Sequence, residues 1–92
     1  MPILVADHHL NDFDQWIQLF GNNPPPSIGR WRVARGIDDP NRVHVVAEVS
    51  DAEVADVKAF IDSDEMQAAF KDVNAISSEP IEFIWLEDVT PG

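Results

Sequence analysis

The segment IGRWRVARGIDDPNRVHVVAEV, residues 28–49, decides the fold. Two runs rich in Val, Ile and Ala, residues 28–37 and 43–49, flank Asp39-Pro40-Asn41. Asp at the first and Pro at the second position of a four-residue turn favour type I geometry. The segment therefore reads as an antiparallel hairpin. Pairing Trp31 with Val49, Val33 with Ala47 and Ile37 with Val43 also sets Arg32 opposite Glu48. Opposite charges facing across strands contribute ~0.2–1 kcal/mol, which favours this register over its neighbour. One face then holds Trp31, Val33, Ile37, Val43, Val45, Ala47 and Val49, with Arg35 the exception. The other holds Arg30, Arg32, Ala34, His44, Val46 and Glu48.

Outward from the hairpin, residues 3–8 read as a strand and are followed by a helix. Asn11 is its expected N-cap, with Asp12 and Asp14 in the first turn, where carboxylates suit the positive end of the helix dipole. Phe13, Trp16, Ile17 and Phe20 make one apolar stripe, and Gly21 is the expected stop. Pro24, Pro25 and Pro26 exclude helix and central strand, so residues 22–27 form a stiff loop, either a spacer or a fixed rim over a pocket. On the other side, Ser50-Asp51-Ala52-Glu53 is a capping box that launches a helix with Val54, Val57, Phe60 and Ile61 inward. The phase breaks at Asp62 or Ser63. A second segment follows with Met66, Ala69, Phe70 and Val73 at helical spacing. Residues 74–80 read as a loop. Residues 81–87 read as a strand that alternates Ile81, Phe83 and Trp85 with Glu82, Ile84 and Leu86.

The order is β-α-β-β-α-β within a single domain, residues 1–92. This is an α+β, ferredoxin-like arrangement with a four-stranded antiparallel sheet and a second helix split in two. Right-handed crossovers put the helices on one face and the strands in the order 4-1-3-2. Strand side chains alternate between faces. Ile3-Leu4-Val5-Ala6 and Phe83-Ile84-Trp85-Leu86 therefore send apolar groups to both. The helices cover one face, and the expected cover for the other is a second copy of the chain, giving a homodimer through the sheet.

Three stretches resemble the dimeric α+β barrel superfamily, which includes the antibiotic-biosynthesis monooxygenase-like proteins. Residues 9–16, HLNDFDQW, resemble its H-x-V-x-D-F-D-x-W passage from strand to helix. Asp39-Pro40-Asn41 with Val43 resembles its D-P-N-x-V hairpin, and residues 60–70, FIDSDEMQAAF, resemble its F-x-x-S-x-E-x-x-x-x-F helix. The resemblance implies a dimeric α+β barrel of an uncharacterised branch. Its haem-degrading branch uses a His on the second helix, and residues 51–73 contain none. Its branches that oxidise aromatic polyketides use Trp, Asn, Tyr or Arg, and this chain has no Tyr.

The formal net charge is −11, from 6 Lys and Arg against 17 Asp and Glu. Such a chain repels phosphate backbones and anionic lipid, so neither nucleic acid nor membrane is an expected partner. The 0 Cys exclude disulfides, thiolate nucleophiles and Cys-ligated metals. The start, MPILVADHHLND, lacks a basic region and a long apolar run, so the expected location is the cytoplasm.

The residues with chemical potential are few. His44 and His8 are the candidate catalytic groups, because imidazole is suited to proton transfer near neutral pH. A hydrogen-bonded structural or interface role is the plainer alternative for His44. Arg32, Glu48, Trp16, Trp31 and Trp85 are the candidate ligand-binding residues, the tryptophans as core or as the walls of a pocket for a flat apolar molecule. Asp7, His8, His9 and Asp12 are metal-ligand types, but adjacent strand residues point to opposite sides, so no metal and no cofactor is expected. The expected function is binding of a small apolar or aromatic ligand in an α/β pocket. The alternatives are a cofactor-independent monooxygenase or isomerase-like enzyme on aromatic substrates, and a non-catalytic structural or interaction module.

Overall fold

A computed structural model describes residues 1–22 and 29–91. The elements are β1 (Pro2–Leu10), α1 (Phe13–Asn22), β2 (Arg30–Arg35), β3 (Arg42–Glu48), a short 3-10 turn (Asp51–Glu53), α2 (Val54–Asp62), α3 (Asp64–Ala75) and β4 (Ser77–Glu87). All strand pairs are antiparallel, and the sheet order β2-β3-β1-β4 is the one expected for a ferredoxin-like fold. The proline run at residues 24–26, with its proposed rim, lies outside the described residues.

The faces of the hairpin are those read from the sequence, but its register is not. Trp31 pairs with Ala47 and Val33 with Val45, a slip of two residues toward the turn. The turn explains it. Arg42 N–H donates to the Asp39 carbonyl at 3.1 Å, closing the expected type of turn, while Gly36 N–H donates to the Arg42 carbonyl at 2.8 Å. The loop folds back so closely that a Cβ on Gly36 would lie 2.3 Å from the Asp39 oxygen. Ile37 is thereby expelled from the ladder and is 99% exposed. Because the slip is an even number of residues, no side chain changes face. Arg32 still reaches Glu48, diagonally, at 3.9 Å.

Helix α1 begins one residue later than expected. Its cap is Asp12, whose Oδ1 accepts from Asp14 N–H at 2.9 Å. Asn41 Oδ1 satisfies a further first-turn donor, Phe13 N–H, at 3.1 Å. Gly21 does not stop the helix, which runs on to Asn22. The capping box at Ser50 forms as read, with Ser50 N–H donating to Glu53 Oε1 at 2.9 Å. Ser63 alone separates α2 from α3. Its hydroxyl donates to the Phe60 carbonyl at 2.7 Å and accepts from Met66 N–H at 3.3 Å. Gln67 Nε2 straps across the joint to the Ile61 carbonyl at 2.8 Å.

β4 begins at Ser77, so residues 77–80, read as loop, belong to the strand. Its pairing with β1 shifts register between Asp7 and His9 and again between His9 and Leu10. Pro80 falls within this irregular stretch of an edge strand, where a missing N–H is tolerated.

The helix side of the sheet holds two buried clusters. One contains Ala6, Leu10, Trp16, Val43 and Val45, the other Leu4, Ala47, Val49 and Val57. The opposite face, set by the same alternation, carries Ile3, Val5, Asp7 and His9 of β1. It also carries His44, Val46 and Glu48 of β3, and Glu82, Ile84 and Leu86 of β4. Leu86 is 48% exposed there.

Candidate functional site

β1 hands two adjacent polar residues to opposite faces. His8 points with Leu4 and Ala6 toward the helices, where these three line a cavity of about 80 Å³. Val45 and Phe83 extend its floor, Trp16, Phe20 and Trp31 its sides, and Phe60, Ile61, Met66 and Phe70 its roof. The arrangement follows from sequence spacing: the roof residues are the inward positions of α2 and α3, and Trp16 and Phe20 are one turn apart on α1. Trp16 stacks on Phe20 with ring centroids 5.0 Å apart and meets the His8 ring at 5.2 Å.

Among the described residues His8 is the only ionisable group on these walls. It is 5% exposed, and its Nδ1 has no hydrogen-bond partner. Burial pushes its pKa down to about 4, with the Asp7 carboxylate pulling weakly the other way. At neutral pH the ring is uncharged, so the cavity is apolar apart from one imidazole and the indole N–H groups.

Asp7 lies on the open face and is as buried as His8, at 5% exposed. Its Oδ2 accepts from Arg42 Nη2 at 3.2 Å. His44 Nε2 lies 3.0 Å from Oδ1 and His9 Nε2 3.5 Å from Oδ2. The His44 contact is close but poorly aligned, leaving both atoms without a true hydrogen bond. Burial acts to raise the Asp7 pKa. The Arg42 hydrogen bond and charge, helped by His44 and His9, outweigh it and hold the carboxyl below its usual range. His9 Nε2 is also 3.5 Å from Glu79 Oε2. Among the described residues no group of three or more His, Asp or Glu is arranged to hold a metal ion.

The residues singled out in the sequence thus divide. His8, Trp16 and Trp31 meet at the cavity. His44, Arg32 and Glu48 sit on the other side of the sheet, so His44 and His8 do not form one site and Arg32 cannot serve His8. Trp85 packs against the second core cluster, away from the cavity, with Lys58 Nζ 5.5 Å from its ring centre. Asp12 is a helix cap. Asp7 and Arg42 were not predicted as partners of His44. The signal for Asp7 was its register, since it pairs directly across from His44.

No family model matches this sequence, and no curated protein does. Solved structures do. An antibiotic biosynthesis monooxygenase superposes with a TM-score of 0.70 at 13% identity, covering 98% of this chain and 100% of that one. This is the antibiotic biosynthesis monooxygenase-like fold. A conserved protein from Methanosarcina mazei Go1 shares the fold with a TM-score of 0.73 at 13% identity, over 94% of this chain and 90% of its own. Rv0793 from Mycobacterium tuberculosis does so with a TM-score of 0.70 at 9% identity, over 99% and 98%. At such identities it is the monooxygenase-like fold that is shared, and the chemistry has to be argued from the site. Among the described residues no helix is long and apolar enough to cross a membrane.

Proposed function

We propose that the protein binds a small apolar or aromatic molecule in the cavity beside His8, and that it works as a homodimer closed through the open face of the sheet. The observation that carries the ligand reading is the unpartnered Nδ1 of His8 in an otherwise apolar wall. A buried polar atom without a partner costs roughly 1–3 kcal/mol, which a ligand carrying one hydroxyl or N–H would recover. His8, Trp16 and Trp31 are the proposed contact residues. An uncharged imidazole accepts a hydrogen bond from such a ligand, while the apolar walls disfavour a charged one.

The test is a pair of probes that differ by one hydroxyl, 1-naphthol and naphthalene, titrated against tryptophan fluorescence. Naphthol is expected to bind more tightly, and His8→Phe to remove its advantage. Equal binding of both probes by the parent protein would defeat the role given to His8.

A second reading is a cofactor-independent monooxygenase, favoured by the same neutral imidazole and by the name of one structural neighbour. His8 would take a proton from the ring CH2 of an anthrone-type substrate, and O2, reduced by that substrate, would place one atom on the carbon as a carbonyl while the other leaves as water with the two hydrogens of the CH2. Oxygen uptake with an anthrone-type substrate, lost in His8→Ala while binding persists, is the expected result. The dimer reading is supported by Ile3, Val5, Val46, Ile84 and Leu86, an apolar band on a face over which no helix of the described residues lies. A sedimentation mass near that of the 10.3 kDa chain at micromolar concentration would remove it.

A further inference from the structure

The open face is built of rows that the strand registers fix. Across the sheet from β2 to β4 they read Arg30, Glu48, Ile3, Leu86; then Arg32, Val46, Val5, Ile84; then Ala34, His44, Asp7, Glu82; and finally Arg42, His9, Glu79 at the last row. Charge on this face is diagonal. Arg30 and Arg32, with Glu48 beside them, occupy one corner, and Glu79 and Glu82 the corner farthest from it, where His9 lies 3.5 Å from Glu79. Asp7 and Arg42 neutralise each other between them, at 3.2 Å. Arg30 and Glu82 have no ion pair among the described residues, and Arg32 has only the 3.9 Å contact to Glu48.

Two sheets packed face to face are related by a two-fold axis lying between them. An axis parallel to the strands sets Arg30 and Arg32 against the partner's Leu86 and the partner's Ile84. An axis across the strands brings β2 onto β2, so that both arginine edges meet. An axis along the other diagonal does neither: it carries the arginine corner of each copy onto the glutamate corner of its mate. Val5 then lies near the axis, in an apolar centre, and the strands of the two sheets cross steeply, one of the two established modes of sheet packing.

We propose that the open face is self-complementary along this diagonal, and that four arginine and glutamate side chains per copy fix the angle at which two copies dock. This rests on the homodimer reading above and specifies its geometry. Charge complementarity of this kind selects orientation and rejects misaligned encounters.

Two variants test it, R30E/R32E and E79R/E82R, each checked for folding by far-UV circular dichroism and weighed by sedimentation equilibrium alone and in equimolar mixture. Each alone is expected to self-associate at least about tenfold more weakly than the parent. The mixture is expected to recover dimers, and to form them as heterodimers. E79R/E82R is the sharper of the two, because it brings the net charge of −11 closer to zero. Relief of overall repulsion would strengthen its dimer, whereas the corner pairing weakens it. A dimeric parent whose variants dimerise equally well overturns the corner pairing and leaves the homodimer standing. Two weakened variants that fail to recover on mixing overturn the diagonal axis. A monomeric parent removes the homodimer reading, and the pairing with it.

Discussion

Asp7 and His8 are neighbours on one strand, each 5% exposed, and they meet opposite fates. Asp7 keeps its charge because Arg42 donates to it and two imidazoles stand beside it. His8 loses its charge because its surroundings are tryptophan, phenylalanine and aliphatic groups. Solvent exposure is the same in both cases, but His8 lies deeper among protein atoms and Asp7 has cationic partners beside it. The strand thus separates an electrostatic face from an apolar one over a single peptide unit.

The largest effect is expected at Trp16. Truncation to Ala removes the ring that packs on His8 and leaves a cavity, at an expected cost of roughly 3–5 kcal/mol by urea denaturation. In the folded fraction, water reaching His8 should raise its pKa toward the ordinary value of 6.5, readable by NMR titration of the imidazole. A pKa still near 4 would mean that Trp16 is not what keeps the ring dry.

A pH series sharpens the contrast next. His8 is depressed when folded, so the unfolded chain takes its proton first. Its contribution is complete above pH 6.5 and is lost as pH falls from there toward about 4, by up to about 3 kcal/mol. His8→Phe should flatten that limb. Asp7 is also depressed, but a carboxylate contributes above its unfolded pKa and loses that contribution as pH falls through its folded one. Its limb lies below about pH 3.8. One variant therefore acts on the mild-acid limb and Asp7→Asn on the strong-acid limb.

Asp7→Asn at neutral pH should cost on the order of 1–2 kcal/mol, since it leaves Arg42 with a weaker acceptor in a buried place. Within one copy of the chain Arg32→Gln breaks only the exposed 3.9 Å pair with Glu48, so at a concentration low enough to keep the protein monomeric it should stay within about 0.5 kcal/mol by the same denaturation assay. A larger loss from Arg32 than from Asp7 would reverse the ranking of the two pairs on the open face.

Much of the fold is legible in local signals. The capping box at Ser50, the split at Ser63 and the turn at Asp39 each depend on a few adjacent residues, and each forms. The Arg32–Glu48 attraction favours one hairpin register, whereas the loop closed at Gly36 accompanies another two residues away that keeps the same faces. Trp16 and Trp31 reach the cavity by helical and strand periodicity. Trp85 shares a face with them and pairs with Leu4, a cavity residue, yet does not line the cavity itself, a distinction that periodicity does not draw. The Asp7 cluster was the hardest to read. Its members come from separate strands, and only the cross-strand register places His44 and Arg42 around one carboxylate.

Ser63 serves as the end of one helix and the beginning of the next, so a terminal carbonyl of α2, that of Phe60, and a first-turn N–H of α3, that of Met66, are both satisfied by one hydroxyl. The ceiling over His8 is consequently a pair of rigid plates meeting at a crease, with Phe60 and Ile61 on one and Met66 and Phe70 on the other. A change of a few degrees at that crease alters headroom without breaking a backbone hydrogen bond inside either plate. For the proposed ligand the room available is then a matter of folding angle, and the Gln67 side chain spans the crease to the Ile61 carbonyl.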